Sequence, residues 1–576
     1  MLLKFLHHVG KGRARALNER GIARWARGYL EDAESAFRGA LRRDPTHAGA
    51  ASNLGMVLAG QARMDEAVAA LRSAVDIDPR HAGAHINLAA ILRQGGAIPE
   101  AVAHLREALA LEPGNRTARA NLIRPLMELC DWDAVASVVA TLRGECAAGV
   151  EGWADAIAPF ESQLLPFTPE FQLRVGMHHS ARYALEASKE GRIPPRPAAP
   201  ADTGKRLRIG YLSSDFHEHA TAHLSAGLYA AHDRGQFEIV AYSIGRGEAG
   251  EYRQRIVAGC DAFNDVAGLP AREIARRIAR DGIDILVDMA GYAGGGRPQI
   301  PALRPAPLQV SFLGYPGTMG AAFMDYLIAD RVVIPQEQER WYAEKLVFMP
   351  DSYQVNDGAQ AIAATIPSRE SLGLPGGAFV FCCFNQLYKM EPETFAAWMR
   401  ILKAVPGSVL WLKSGHAAAE QRLRSVAKAA GVATDRLVFA PYARKPDHLA
   451  RHAHAGLFLD THAVNAHTTA SDALWAGVPL LTWTGDTFSS RVAASLLHAV
   501  GLADCVLPDL RAYEARAIAL ATNAQALAAL RARLNANRLN HPLFDTKAYV
   551  QSLEAAYRRM WRDHCKGSEP AWFDVA

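Results

Sequence analysis

Prolines at 45, 79 and 113, each preceded by an acidic residue (Asp44, Asp78, Glu112), recur every 34 residues. Few features restrict a chain more, because a fixed period means one structural unit repeated and stacked. Counting back from each proline gives Ala33, Ala67 and Ala101, then Phe37, Leu71 and Leu105, then Ala40, Ala74 and Ala108. Small residues let two helices cross closely, a large apolar side chain fills the space one turn on, and proline closes the second helix. That is the tetratricopeptide arrangement. Gly21 and Gly55 take the small position of the first helix, with Ala89 in the third copy, while Leu122, Leu126 and Val139 continue the register in a degenerate fourth unit. A plain helical bundle has no reason to keep this period. An all-α repeat superhelix over residues 1–145 is expected, with a groove suited to a protein or peptide.

Residues 146–204 read as a junction. Pro159, Pro166 and Pro169 interrupt any long helix, and Pro194 to Pro200 reads as an extended polyproline linker. From Lys205 the pattern changes to α/β. Apolar runs at 207–211, 237–242, 283–287, 308–312, 326–329 and 346–349 alternate with helical patterns, and a second series occupies 379–384, 409–412, 437–439, 457–459 and 480–483. Such alternation predicts two doubly wound, Rossmann-like lobes, 205–370 and 371–576, the second carrying the C-terminal helices.

Ligands in parallel sheets sit beyond the carboxyl ends of strands. This directs attention to Ser213-Ser214-Asp215, to Asn385 through Lys389, and to 461–472. In the last of these, His467-Thr468-Thr469 opens an Ala/Leu-rich helix just after the apolar run ending at Asp460, and Gly477 and Pro479 stop it. Unsatisfied N–H groups and a partial positive charge at such a helix end suit a diphosphate. Lys389, following the first strand of the second lobe, is placed to meet a phosphate oxygen. An ordinary capped helix and a solvated lysine are the plainer alternatives.

Composition excludes more than it reveals. A net charge of +4 over 576 residues gives no argument for nucleic acid. Seven cysteines (130, 146, 260, 382, 383, 505, 565) without CxxC spacing suggest reduced thiols and a cytoplasmic location. The apolar start, Met1 to Leu6, is too short for a signal peptide or anchor, and no membrane partner is expected. The one Asp-x-Asp triplet, Asp131-Trp132-Asp133, falls in the fourth repeat and reads as a helix cap and turn; no metal and no cofactor are expected.

Several strings together resemble the bacterial-type O-GlcNAc transferases: Ser213-Ser214-Asp215-Phe216 with His219; Leu303-Arg304-Pro305-Ala306-Pro307; Leu313-Gly314-Tyr315-Pro316-Gly317-Thr318; Phe384-Asn385-Gln386-Leu387-Tyr388-Lys389; His467-Thr468-Thr469 with Asp472; and Ser490-Arg491-Val492-Ala493. The resemblance covers nearly the whole chain. It implies a GT-B glycosyltransferase carrying N-acetylglucosamine from UDP-N-acetylglucosamine to serine and threonine hydroxyls, with inversion and without a metal. Asp215, His219 and Lys389 become the implied catalytic groups, Lys389 acting on the leaving diphosphate. The implied donor contacts are Thr221, Gly314, Tyr315, Pro316, Gly317, Gln386, Tyr388, His467, Thr468 and Thr469, with Lys445 and His448, in the loop after Pro441, holding the uridine and Asp472 accepting from the ribose. The choice among Asp215, His219 and a water chain as base stays open.

Two departures stand out. Animal members carry a His-His-Ser context where this chain reads Pro159-Phe160-Glu161-Ser162, and Val464 replaces a cysteine near the acetamide. The plant-type O-fucosyltransferases share the architecture but not the Gln-Leu-Tyr-Lys wording. Another nucleotide sugar such as GDP-fucose, a non-protein acceptor, and an inactive repeat scaffold are the competing readings; assembly with further copies of the chain is left open.

Overall fold

The computed structural model describes residues 2–191, 193, 205–245 and 247–576. The polyproline segment 194–200 lies outside the described residues. The chain divides between Ala158 and Pro159 into two compact units.

The first unit is a run of paired helices, Leu2–Ala26 with Leu30–Arg43, Ala48–Gly60 with Met64–Ile77, Ala82–Gln94 with Ile98–Leu111, and Arg116–Glu128 with Trp132–Ala147. The three repeating columns are its core: Ala33, Phe37, Ala40, Ala67, Leu71, Ala74, Ala101, Leu105 and Ala108 are all buried. Close approach explains the glycines. A Cβ on Gly55 would stand 2.5 Å from Leu71 Cγ, and one on Gly21 would strike the Phe37 ring at the same distance. Histidine supplies caps that the sequence pattern did not suggest. The Nδ1 atoms of His47 and His81 accept from the N–H groups of Ala50 and Ala84, and Asn115 does the same for Ala118 one repeat on.

In the second unit, seven parallel strands follow one another: β1 (Leu207–Ser213), β2 (Phe237–Ser243), β3 (Ala262–Asp265), β4 (Ile285–Asp288), β5 (Leu308–Ser311), β6 (Tyr326–Asp330) and β7 (Lys345–Met349). A second sheet holds β8 (Val380–Cys383), β9 (Val409–Lys413), β10 (Leu437–Ala440), β11 (Leu457–Leu459), β12 (Leu480–Trp483) and β13 (Val506–Leu507), in the order β10-β9-β8-β11-β12-β13. The first sheet runs β14-β7-β6-β5-β4-β1-β2-β3, where β14 is Phe573–Asp574. Helices between the strands cover both sheets, so the α/β reading of two doubly wound lobes describes the molecule. No helix among the described residues is long and apolar enough to cross a membrane.

Three boundaries differ from the sequence reading. The junction 146–204 is not one element. The turn Trp153–Ala156 packs with the repeats, whereas helix Pro169–Glu190 joins the first lobe, burying Ala187 there and donating the Ser180 hydroxyl to Gly320 O at 2.6 Å. Nor do residues 371–576 form one lobe. Helix Thr546–Cys565 returns to the first, where Tyr557 meets the hydroxyl of Tyr211 at 3.2 Å and Glu554 meets His232 at 3.0 Å, and Phe573 pairs with Val347. Its apolar face fits the first lobe, a contact between residues more than three hundred apart that no local pattern signals. The third is that the sequence reading omits strands β3, β13 and β14, which are short and only partly buried.

Replacing Leu71, fully buried within the second helix pair, by alanine is expected to destabilise the array by about 2–5 kcal/mol. Hydrogen exchange on the whole chain should localise the loss to residues 30–111; unchanged protection there would contradict the packing role.

Candidate functional site

The second lobe builds its part of the site on buried carboxylates. Asp460 follows β11 and is fully buried. Its Oδ1 accepts from the N–H groups of Thr461 (2.8 Å) and Ala466 (2.7 Å) and from Asn385 Nδ2 (3.3 Å), while Oδ2 accepts from the Thr482 hydroxyl (2.7 Å). Burial pushes its carboxyl up to about 7, against the pull of those donors and of the Lys389 ammonium. Glu391 grips the same loop from the other side, accepting from the N–H groups of Ala463 (2.6 Å) and His462 (3.3 Å). Between them they fix the path of residues 461–467.

That path ends at helix Thr468–Trp475, with His467 at its N-terminal cap. The N–H groups of Thr468 and Thr469 have no hydrogen-bond partner among the described residues, and the Thr468 hydroxyl is likewise unbonded. Thr469 differs from expectation: its hydroxyl is spent on Asn385 Oδ1. Lys389 lies in the turn Leu387–Lys389 and donates to the carbonyl of Asn465 at 2.9 Å, which holds its ammonium beside the loop leading to this helix. Gln386 is exposed at the start of that turn and Tyr388 is half-buried within it.

Lys445 and His448 stand on a helix, Lys445–Arg451, not in a loop as the sequence suggested; Pro446 at its second position favours that start. Lys445 forms a buried ion pair with Asp472, and His448 Nε2 lies 3.7 Å from the same carboxylate. Burial raises the Asp472 carboxyl and Lys445 opposes the rise. Arg451 was missed. Its guanidinium covers the Phe384 ring at 4.9 Å, donates to Pro441 O at 2.7 Å, and meets His448 Nδ1 at 2.5 Å. Arginine can only donate, so His448 Nδ1 accepts and its Nε2 carries the proton toward Asp472. Burial drives His448 well below the ordinary imidazole range.

On the first lobe, β1 delivers Asp215. Its Oδ1 is 2.7 Å from the Ser214 hydroxyl; its Oδ2 accepts from Thr221 at 3.0 Å and lies 3.3 Å from His219 Nδ1. His219 caps the helix Ala220–Ser225, accepting from the N–H of Thr221. Its side chain is 45% exposed, whereas Asp215 is 7% exposed, so the histidine is the open member of the pair. His223 follows one turn on. Its imidazole is pushed down to about 3, first by burial and next by the Lys445 ammonium. Helix Ala220–Ser225 also packs against helix Thr468–Trp475, so the two lobes meet at this histidine.

The loop after β5 gives a mixed outcome. A Cβ on Gly314 would lie 2.1 Å from Met289 O, and one on Gly317 would meet the Gln163 amide at 2.8 Å, so both glycines answer to close backbone approach. Pro316 is buried beside them. Tyr315, expected as a donor contact, spends its hydroxyl inside the protein. It is buried in the core of the first lobe, donates to Pro159 O at 3.3 Å and receives Gln163 Nε2 at 3.2 Å, which commits its hydroxyl to the segment 159–164.

Asp131 holds the N-cap position of helix Trp132–Ala147 and Asp133 its first turn, without a capping bond to the Asp131 side chain. Among the described residues no group of three or more His, Cys, Asp or Glu side chains is arranged to hold a metal ion.

Comparison with known proteins bears on the family and the fold. The model of glycosyl transferase family 41 matches residues 130–365 and 358–553, and a tetratricopeptide-repeat model matches 18–81 and 53–116. A probable UDP-N-acetylglucosamine–peptide N-acetylglucosaminyltransferase (SEC) of Arabidopsis thaliana is 39% identical over 470 residues, 79% of this chain and 48% of its own length. A UDP-N-acetylglucosamine–peptide N-acetylglucosaminyltransferase of Caenorhabditis elegans is 30% identical over 529 residues, 72% of this chain and 46% of its own. The chain thus spans about half the length of these curated relatives. A solved structure, the O-GlcNAc transferase of Thermobaculum terrenum in a lysine-to-methionine mutant, superposes with a TM-score of 0.69 at 28% identity, covering 97% of this chain and 99% of that one.

The buried histidines make the site sensitive to acid. His452 is fully buried, donates from Nδ1 to His448 O at 2.7 Å, and is pushed down to about 3. Unfolded, it titrates near 6.5. Between those values the unfolded chain holds the extra proton, so its contribution to stability is complete above about pH 6.5 and is lost as the pH falls toward 3. His452→Asn keeps a donor for that carbonyl and should flatten the stability–pH slope below pH 6.5 by up to about 1.4 kcal/mol per pH unit. Urea unfolding at pH 7 and pH 5 reads it; an unchanged slope would contradict the assignment.

Proposed function

The chain belongs to glycosyl transferase family 41, and on that premise we propose that it transfers N-acetylglucosamine from UDP-N-acetylglucosamine to serine or threonine hydroxyls of proteins, with inversion at the anomeric carbon and without a metal ion. The acceptor hydroxyl attacks that carbon while its bond to the diphosphate oxygen breaks. The hydroxyl proton leaves toward Asp215, directly or through His219. Negative charge growing on the bridging oxygen is met by Lys389 and by the unbonded N–H groups of Thr468 and Thr469, which need no reorganisation at that moment. Lys445, His448 and Arg451 form the nucleoside side, with Asp472 held by Lys445 for the ribose.

One observation carries this reading. Helix Ala220–Ser225, which His219 caps on the first lobe, packs against helix Thr468–Trp475 of the second, and its His223 lies close enough to Lys445 for that ammonium to depress the imidazole. A base on one wall and a helix end suited to a diphosphate on the other suit displacement at a sugar carbon. The repeat array is the natural place for a protein acceptor. A reducing, cytoplasmic setting fits the buried, unbridged thiols of Cys382 and Cys383 in β8.

Departure of UDP adds charge that the ground state lacks, so a cation at the bridging oxygen matters more in the transition state than in binding. Lys389→Met should lower saturated turnover about a hundredfold or more, with donor affinity changed by less than about tenfold. Normal saturated turnover would remove Lys389 from the mechanism. Transfer to a Ser/Thr peptide library should also persist in EDTA; loss of activity restored only by adding manganese or magnesium would show that the diphosphate needs a metal.

A further inference from the structure

The tight loop that follows β4, residues 289–298, is not used by the reaction above. Asp288 Oδ1 holds its entry through the N–H groups of Ala290 (3.0 Å) and Gly291 (3.1 Å), and two internal turns close it, Ala293 N–H to Ala290 O and Gly296 N–H to Ala293 O. At its tip the chain carries no side chains. Gly294 and Gly295 are exposed, Gly295 adopts φ +80°, and a Cβ there would meet Ser214 at 2.8 Å. A left-handed glycine is the kind of residue at which successive N–H groups can turn to one side, a geometry that gathers anions.

What the loop lacks is a counter-charge. Among the described residues the N–H groups of Gly294, Gly295 and Arg297 have no hydrogen-bond partner, and the Arg297 guanidinium has neither a hydrogen bond nor an ion pair. Arg297 is only half-buried, yet burial pulls its guanidinium below the ordinary value and no acidic group offsets the effect. A desolvated, unpaired guanidinium is unfavourable unless something answers it.

The loop is tied to the catalytic wall. The Ser214 hydroxyl lies 2.7 Å from Asp215 Oδ1 and 3.1 Å from Gly294 O, so one side chain bridges the base and the loop tip. The cations suited to the donor diphosphate stand on the other lobe, which leaves this loop to the acceptor.

We propose that Gly294, Gly295 and Arg297 form an anion-binding cradle for a carboxylate or phosphate carried by the acceptor chain, about one to three residues from the hydroxyl that reacts at Asp215. The assignment rests on the protein-acceptor reading above. It makes the enzyme selective for acceptor sites with an acidic or phosphorylated neighbour, chosen by the first lobe and not by the repeats.

The test uses the full chain and peptides bearing one serine, flanked in turn by alanine, aspartate or phosphoserine at each of the three positions on either side. At one or more positions an anionic neighbour should raise kcat/KM about tenfold or more over alanine, the effect of a charge-assisted hydrogen bond. Arg297→Gln should bring that ratio close to one, and Arg297→Lys should retain part of it, since a bidentate fork becomes a point charge. The aspartate and phosphoserine arms tell which anion the cradle takes. A separate calorimetric titration uses the same peptides with the serine replaced by alanine, so that binding is read without transfer. Transfer with no anionic preference, or a preference that Arg297→Gln leaves intact, overturns the cradle while the proposed function stands. Anionic binding that is lost in Arg297→Gln, without transfer to any peptide, overturns the function and leaves the cradle.

Discussion

Asp460 has no water to turn to. A fully buried carboxylate must find its donors inside the protein, and the residues around β11 are folded to supply them. The backbone at Thr461 and Ala466 bends back onto one oxygen, Thr482 reaches the other, and the helix at Thr468 starts where this closed loop releases the chain. Lys389 takes its carbonyl from the same loop. The two positive features of the second lobe are thereby held in place before any ligand arrives, which is the condition for electrostatic stabilisation of a departing diphosphate. Glu391 and the Lys445–Asp472 pair repeat the device at the loop's outer side and at the nucleoside end.

The same economy governs the seam between the lobes. Asp330 at the end of β6 accepts from the N–H groups of Val332, Val333 and Tyr353 within the first lobe and from the Ser495 hydroxyl of the second. Arg491 donates to Val332 O at 2.7 Å, and Gln354 Nε2 reaches the Ser471 hydroxyl at 2.8 Å. Each contact joins one lobe to the other, so the wall carrying Asp215 and the wall carrying Lys389 keep their facing by hydrogen bonds that lie away from the reacting groups.

What could be read in the sequence divides along physical lines. Repeats and strands were legible because periodicity is local: a column of alanines 34 residues apart, or an apolar run bounded by polar loops, declares itself without its partners. The site residues were legible where a motif marks the end of a strand, as with Asp215, Lys389 and Thr468. Asp460, Glu391 and Arg451 carry no assignment in the sequence because their meaning lies in what folds against them. Only Arg451 left a trace, a cation one turn beyond His448. Tyr315 shows the converse: it sits inside a specific motif, and the structure uses its ring and hydroxyl to anchor residues 159–164. Thr469 lies between, a hydroxyl correctly placed at the helix end but engaged by Asn385.

The strand Phe573–Asp574 completes the first sheet beside β7. Between β7 and that strand lies the whole second sheet, so the second lobe is in effect an insertion within the first. During synthesis the first lobe therefore waits, its edge strand open to other edges, until the second sheet has been made and the helix Thr546–Cys565 and the strand Phe573–Asp574 can dock. The lobe that would activate the acceptor is completed only after the lobe that would hold the donor has been made, and the growing chain cannot assemble a working cleft before both are in hand.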